Sequence, residues 1–188
     1  MKNNTFHVSP NSYDDTSSLN IIGWNCEGFL SKQSSISTLA EFGRPDALLL
    51  QETFMTESTG IEHRGTVKGY VMTAQSKDRY MKEKKEKSRY VNRHGVGTLL
   101  KEELTKRSKF IESGSDRVLA QKIYMGKRTL LLINSYCPTR DQSMQGLRDF
   151  EECLSRISGL IAEHCGKDCS FALYADWNLC PVKHAKDE

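Results

Sequence analysis

Five side chains stand where apolar runs stop, and their types suit a phosphate group or a hard cation. LNIIGWN (19–25) ends in Asn25, DALLLQE (46–52) in Glu52, LLLINSY (130–136) in Tyr136, and SFALYADWN (170–178) in Asp176 and Asn178. A turn that only reverses the chain prefers Gly, Asn, Asp or Ser, so a glutamate or a tyrosine at such a place is not demanded by the fold. Side chains alternate faces along a strand, so Asp176 and Asn178 project together beyond its end. The carboxylate can take or give a proton or bind metal, and the carboxamide can orient a phosphate oxygen. Glu52 offers a hard oxygen; Mg2+ typically takes one or two protein carboxylates, keeps several waters and accepts phosphate for the rest. An ion held that way polarises a phosphoryl oxygen and stabilises the departing one. Read singly, Glu52 is an ordinary surface carboxylate and Asp176 a turn or cap residue; the set carries the meaning.

The elements that must position these groups read as follows. Residues 1–18 are polar, rich in Asn, Ser and Asp, and read as a loose, disordered extension. LNIIGWN is a strand, followed by a helical stretch with Ile36, Leu39 and Phe42 on one face. Gly43 and Pro45 stop it, Gly taking the left-handed position after the helix. DALLLQE does not alternate with polar residues, which fits a strand covered on both faces. Further strands are KGYVMTA (68–74), HGVGTLLK (94–101), DRVLAQKIYM (116–125) and RTLLLINSY (128–136), the last two joined by Gly126-Lys127. Glycine first in a two-residue connection suits a II′ hairpin turn. Leu147, Phe150, Leu154, Ile157 and Ile161 step by three and four, an amphipathic helix ending near Gly166. SFALYAD is another buried strand. Hairpins with single helices between them point to one mixed α/β domain over residues 19–188: two face-to-face sheets with helices outside.

Composition narrows the classes. The chain has 188 residues, 27 Lys plus Arg against 24 Asp plus Glu, and a net charge of +3. That excludes a histone-like polycation and an acidic tail protein. No apolar run approaches a bilayer span and the N-terminus has no apolar h-region, so the expectation is an intracellular protein, nuclear or cytoplasmic and not secreted. The six cysteines (26, 137, 153, 165, 169, 180) include no C-x2-C pair and read as reduced thiols and small buried hydrophobes.

The motifs IIGWNCEG (21–28), DALLLQET (46–53), HGVGTLL (94–100), SDRVLAQKI (115–123), LLINSYCPT (131–139) and LYADWN (173–178) occur in an order and spacing similar to the endonuclease/exonuclease/phosphatase superfamily. The resemblance spans 19 to about 181, and INSYCPT with SDRV looks most like the apurinic-type endonuclease domains of non-LTR retrotransposons. It implies a DNase I-like four-layer sandwich and a Mg2+- or Mn2+-dependent DNA phosphodiester hydrolase. It also implies roles: Glu52 binds the metal, Asn25 sits beside it and helps hold metal or phosphate, Tyr136 contacts the scissile phosphate, Asp176 acts on the water or leaving-group oxygen, and Asn178 orients the phosphate and Asp176. No organic cofactor or membrane is implied, and a monomer is expected.

Two departures stand out. Ala175-Asp176-Trp177-Asn178 replaces the family's Gly-Asp-Phe-Asn, and the late Ser-Asp-His motif has no counterpart before Glu188. His63, His94, His164 and His184 have solvated or capping contexts instead. The expectation is therefore an incomplete sheet, weak stability and weak or absent catalysis. The alternative is a non-catalytic nucleic-acid-binding remnant; a phosphoinositide or sphingolipid headgroup ranks below both. Residues 77–93 carry eight cations and three carboxylates, net +5, so the rest of the chain sums to −2. Lys84, Lys85, Lys87, Arg89 and Arg93, with Tyr80 and Tyr90 interleaved, form a candidate phosphate-backbone contact in an exposed loop or solvated helix. Charge reversal at Lys84 and Lys85 is expected to weaken DNA binding and to lower the slope of log K against log salt by about one per lost contact. Titrations at several salt concentrations check this, and an unchanged slope removes the segment from the interface.

Overall fold

The structure is a computed structural model and describes residues 4–8, 18–55, 59–76, 95–138 and 143–178. Two sheets lie face to face. The six-stranded sheet runs in the order β1 (Asn4–Val8), β2 (Leu19–Asn25), β3 (Ala47–Gln51), β6 (Val96–Lys101), β5 (Tyr70–Gln75), β4 (Thr59–Arg64). The four-stranded sheet runs β10 (Cys169–Asp176), β9 (Arg128–Tyr136), β8 (Val118–Met125), β7 (Ser108–Ile111). Each sheet holds one parallel pair. β2 pairs β3 and β9 pairs β10, and α1 (Phe29–Gly43) and α3 (Met144–His164) make the crossovers. Parallel neighbours need such a crossover, which covers the outer face. A four-residue helix, α2 (Glu102–Thr105), caps β6.

Strand alternation sorts the apolar residues into the layers. Ile21, Ala47, Leu49, Leu130 and Leu132 fill the space between the sheets. Ile22, Leu48 and Leu50 point outward onto Phe29, Ile36 and Ala40 of α1. Leu131 and Ile133 point outward onto Phe150, Cys153, Ile157 and Leu160 of α3. Every β3 position is buried, as its unbroken apolar run requires. The layers are therefore helix, sheet, sheet, helix.

The inter-sheet layer also has a polar end. Asn134 donates through its amide to the carbonyls of Leu50 (3.0 Å) and Gly97 (2.9 Å), and its oxygen accepts from Gln51. Gln121 donates to the Thr73 hydroxyl at 3.0 Å. Gly23 lets Tyr174 of the other sheet lie against β2; a Cβ there would come within 2.2 Å of the ring.

Several expectations are corrected. Residues 4–8 form β1, antiparallel to β2, rather than a loose extension. The buried face of α1 is Phe29, Ile36 and Ala40; Leu39 is partly buried and Phe42 is 80% exposed. Gly43 is the last helical residue, and the left-handed position falls on Arg44 (φ 42°). β10 is a half-buried edge strand, with Phe171 50% exposed, and not a buried one. β4 and β7 had no clear pattern in the sequence. The hairpin glycine Gly126 does have the expected positive φ of 61°. Residues 77–93 lie outside the described residues.

Replacing Asn134 by Leu leaves two buried carbonyls and the Gln51 amide without their partner, so unfolding free energy is expected to fall by about 2–4 kcal/mol. Phe42→Ser should cost under about 0.5 kcal/mol, as for other exposed positions. Urea unfolding of both variants measures the contrast.

Candidate active site

In both sheets the parallel pair ends together. Asn25 is level with Gln51, and Tyr136 with Asp176. Counting back by twos, Asn25 shares a face with Ile21, Tyr136 with Leu130 and Leu132, and Asp176 with Ala172 and Tyr174; these apolar partners all lie in the inter-sheet layer. The polar end groups thus cap the same layer where it opens at the carboxyl ends of the strands.

Glu52 has the opposite parity. Continued as a strand after Leu48 and Leu50 it would point at α1. Its backbone is instead left-handed, φ 51°, which breaks the alternation. The loop is fixed in that turn by main-chain bonds: Cys26 N–H to Gln51 C=O (3.0 Å), Gly28 N–H to Glu52 C=O (2.7 Å), Phe29 N–H to Thr53 C=O (2.8 Å) and Thr53 N–H to Gly95 C=O (3.1 Å). The carboxylate then meets the Asn25 amide, whose Nδ2 donates to Glu52 Oε1 at 2.8 Å and to Asp176 Oδ2 at 2.8 Å. One nitrogen bridges carboxylates from two sheets, across 151 residues of chain in the second case.

The remaining groups close round this bridge. Asn178 N–H donates to Asp176 Oδ1 at 3.2 Å, and its side-chain amide donates to the Cys137 carbonyl at 2.8 Å. The Tyr136 hydroxyl hydrogen-bonds with Glu52 and Asn178; burial first, then the Glu52 charge, pushes its pKa above the ordinary phenol value, so it stays a hydroxyl donor at neutral pH. All five predicted site residues, Asn25, Glu52, Tyr136, Asp176 and Asn178, therefore meet in one half-buried cluster.

Reading the strand ends missed two features. Arg117 lies over the Tyr136 ring, 5.6 Å from its centroid, and its carbonyl accepts the Tyr136 N–H at 2.9 Å. The SDRV segment held that residue without a role assigned to it. Left-handed non-glycine backbone is the second: Glu27, Glu52, Phe54 and Asn178 all have positive φ here. Each such residue costs of order 1 kcal/mol, and such positions concentrate at functional sites. Of the histidines, His63 lies on β4 at the far edge of its sheet and His164 in the last turn of α3; His94 and His184 lie outside the described residues. So do Lys84, Lys85, Lys87, Arg89 and Arg93. The chain leaves for that segment after Ser76 and re-enters at Gly95, and Gln75 and Val96 are both level with Gln51, so its two anchor points stand at the carboxylate end of the sheet.

The donor set fits a hard divalent cation. Glu52 and Asp176 offer carboxylate oxygens no further apart than two hydrogen-bond lengths, the Asn25 carboxamide oxygen is beside them, and like charges so close favour a cation. Among the described residues no group of three or more His, Cys, Asp or Glu side chains forms a complete metal cage. An ion here would keep much of its shell for water and phosphate.

No family model and no curated protein matches the sequence. Solved structures do match. The AP endonuclease LMAP from Leishmania major superposes with a TM-score of 0.57 at 19% identity, over 83% of this chain and 54% of its own. The 3′ phosphatase NExo from Neisseria, bound to a product DNA hairpin, gives 0.59 at 14% identity, over 88% and 60%. D. rerio TDP2, complexed with single-strand DNA product, gives 0.54 at 17%, over 86% and 61%. The chain has the DNase I-like fold. It spans between half and two thirds of the length of these proteins.

Behind Glu52, burial pushes the Cys26 thiol from 9.0 up to about 11, with the Glu52 charge adding to the shift. A raised folded-state pKa gives stability that is full below the unfolded value and lost as pH rises through the folded one. Between pH 9 and 11 this group alone should cost about 2–3 kcal/mol. Melts across that range should fall more steeply for the native chain than for Cys26→Ala.

Proposed function

We propose that this chain is a divalent-metal-dependent phosphodiester hydrolase domain of DNA endonuclease type, derived from a non-LTR retroelement. The observation that carries the proposal is the Asn25 amide joining Glu52 and Asp176 across the two sheets. Nothing in the packing calls for two carboxylates at one opening between sheets; a cation and a phosphate do. NExo and TDP2, which share the fold, are solved with DNA products, and this supports DNA as the substrate class. The INSYCPT and SDRV segments support the retroelement origin.

Glu52 and the Asn25 carboxamide oxygen would hold Mg2+ or Mn2+, which when bound offsets charge on the phosphate and the leaving oxygen. The Tyr136 hydroxyl, bonded to Glu52 in this structure, would turn its proton to a non-bridging phosphate oxygen when substrate binds. Asp176 has both carboxylate oxygens fixed, by Asn25 and by the Asn178 N–H, so it is oriented to accept a proton from the attacking water. Asn178, held on the Cys137 carbonyl and bonded to the Tyr136 hydroxyl, would orient Tyr136 and Asp176 toward the phosphate. Catalysis is then chiefly positioning and charge stabilisation. His63 and His164, the described histidine side chains, lie on β4 and on α3 away from these strand ends. Turnover by this chain is accordingly proposed to be slow, since no described imidazole is placed to share the proton transfer.

Supercoiled-plasmid nicking tests the reading. Nicking is expected with Mg2+ or Mn2+, to stop with EDTA, and to fall by about 10²–10³-fold in Glu52→Gln and Asp176→Asn with unchanged circular dichroism. Metal-independent nicking, or full activity in both variants, refutes the assignment. Metal-dependent DNA binding without nicking would identify a binding module of the same fold.

A further inference from the structure

Beneath the cluster, on the α3 side of β9, two thiols face each other. Cys137 follows Tyr136 directly, and Cys153 lies in the middle of α3. Their sulfurs are 3.6 Å apart, and the Ser135 hydroxyl touches both, at 3.7 and 3.4 Å. Both side chains are buried, yet Cys153 also lines a cleft of about 340 Å³ together with Arg117, Pro138, Asp149, Glu152 and Arg156. A disulfide has its sulfurs about 2.05 Å apart, so oxidation needs the two sulfurs to close by roughly 1.5 Å.

The backbone of Cys137 is already committed to the site. Its N–H donates to the Asp176 carbonyl at 2.9 Å, and its own carbonyl holds the Asn178 amide at 2.8 Å. Any displacement of Cys137 is therefore a displacement of what orients Asp176 and Asn178. The two sulfurs are also unlike. The hydrogen bond with Cys137, then the Ser135 hydroxyl and the Arg117 charge, lowers the Cys153 pKa against the opposing effect of burial. Cys153 is the more nucleophilic sulfur in the sense that counts for oxidation, being the readier thiolate.

We propose that Cys137 and Cys153 form a redox modification site for a small hydroperoxide, and that their disulfide shifts the strand end that positions Asp176 and Asn178. Hydrogen peroxide reaches Cys153 from the cleft. The Cys153 thiolate attacks one peroxide oxygen, the O–O bond breaks, and hydroxide leaves and takes a proton as water; sulfur is oxidised to sulfenic acid. The Cys137 sulfur then attacks the Cys153 sulfur, the S–S bond forms, the S–O bond breaks, and the oxygen leaves as water with the Cys137 proton. In sum two thiols become one disulfide and one peroxide becomes two waters. A second close pair, Cys165 and Cys169 at 3.1 Å, lies at the opposite end of β10 from Asp176. It serves as an internal comparison.

The cross-link stands on the thiol geometry alone; its effect on activity rests on the hydrolase reading. The test uses the full chain carrying Cys165→Ser and Cys169→Ser. It is exposed to hydrogen peroxide, alkylated, digested without reductant and mapped by mass. The expected result is a Cys137–Cys153 linked peptide lighter by two hydrogens and released by dithiothreitol. Nicking should fall with cross-linking by up to about 10²-fold, the scale of a 1 Å misplacement, and recover on reduction. Cys153→Ala, and Cys137→Ala as a second variant should the first not fold, should abolish the peroxide response. Alkylation of both thiols at peroxide doses that link Cys165 to Cys169 in the native chain overturns the proposal, as does sulfinic acid at Cys153 without a link. A linked protein that nicks at full rate overturns the coupling to the site. If the reduced protein never nicks, the hydrolase reading fails, and the linked peptide alone decides the modification site.

Discussion

Gln51 and Asn134 occupy the last wholly buried positions on the inward faces of β3 and β9 before the site opens. Asn134 commits both amide hydrogens to carbonyls of the opposite sheet and its oxygen to Gln51, so it locks one register of sheet against sheet. An apolar pair there would let the sheets slide at little cost, because dispersion contacts are not directional. A buried amide cannot slide, since each lost partner costs about 1–3 kcal/mol. Glu52 is one residue beyond Gln51 and Tyr136 two beyond Asn134. The clamp thereby sets how the ends of two separate parallel pairs face each other. The Asn25 bridge from Glu52 to Asp176 forms in that register.

Inside that frame, the site is made by departures from strand regularity. Asn25, Tyr136 and Asp176 simply continue the inward face of their strands. Glu52 does not, and the left-handed turn that brings it round is secured by main-chain bonds to Gly28 and, through Thr53, to Gly95. Asn178 likewise leaves β10 with positive φ, which lets its own N–H return to Asp176. The strain of these conformations is offset by the loops that over-determine them. What results is a set of polar groups held in fixed relative positions.

How far this was legible beforehand differs by element. Period-two alternation and apolar run length located β2, β3, β5, β6, β8, β9 and β10, because burial on one or both faces dictates those patterns. Their position at the ends of apolar runs singled out Asn25, Glu52, Tyr136 and Asp176, and the structure shows that Asn25, Tyr136 and Asp176 share the inward face of their strands. Strand parity could not place Glu52, whose orientation depends on a tertiary-secured turn and not on propensity. Phe42 misled for a similar reason: it sits at helical spacing from Ile36 and Leu39, but α1 turns Ala40 to the sheet and leaves Phe42 in solvent. β1 and β4 are edge strands, held by one neighbour each, and their short mixed sequences carry little of the signal that a core strand must carry.

Charge sets the last condition on the site. Two carboxylates at the opening repel a phosphodiester, and the described residues sum to zero charge, so the described framework has no general attraction for a polyanion. Arg117 over Tyr136 supplies one positive group close by. A cation between Glu52 and Asp176 would reverse the sign locally, but its field is short-ranged at physiological ionic strength. The +5 of residues 77–93 is inserted in the sequence between strands whose facing ends stand level with Gln51. On the proposed function the sequence keeps two charge features apart: acidic strand ends that suit a hard cation, and a basic insertion between β5 and β6.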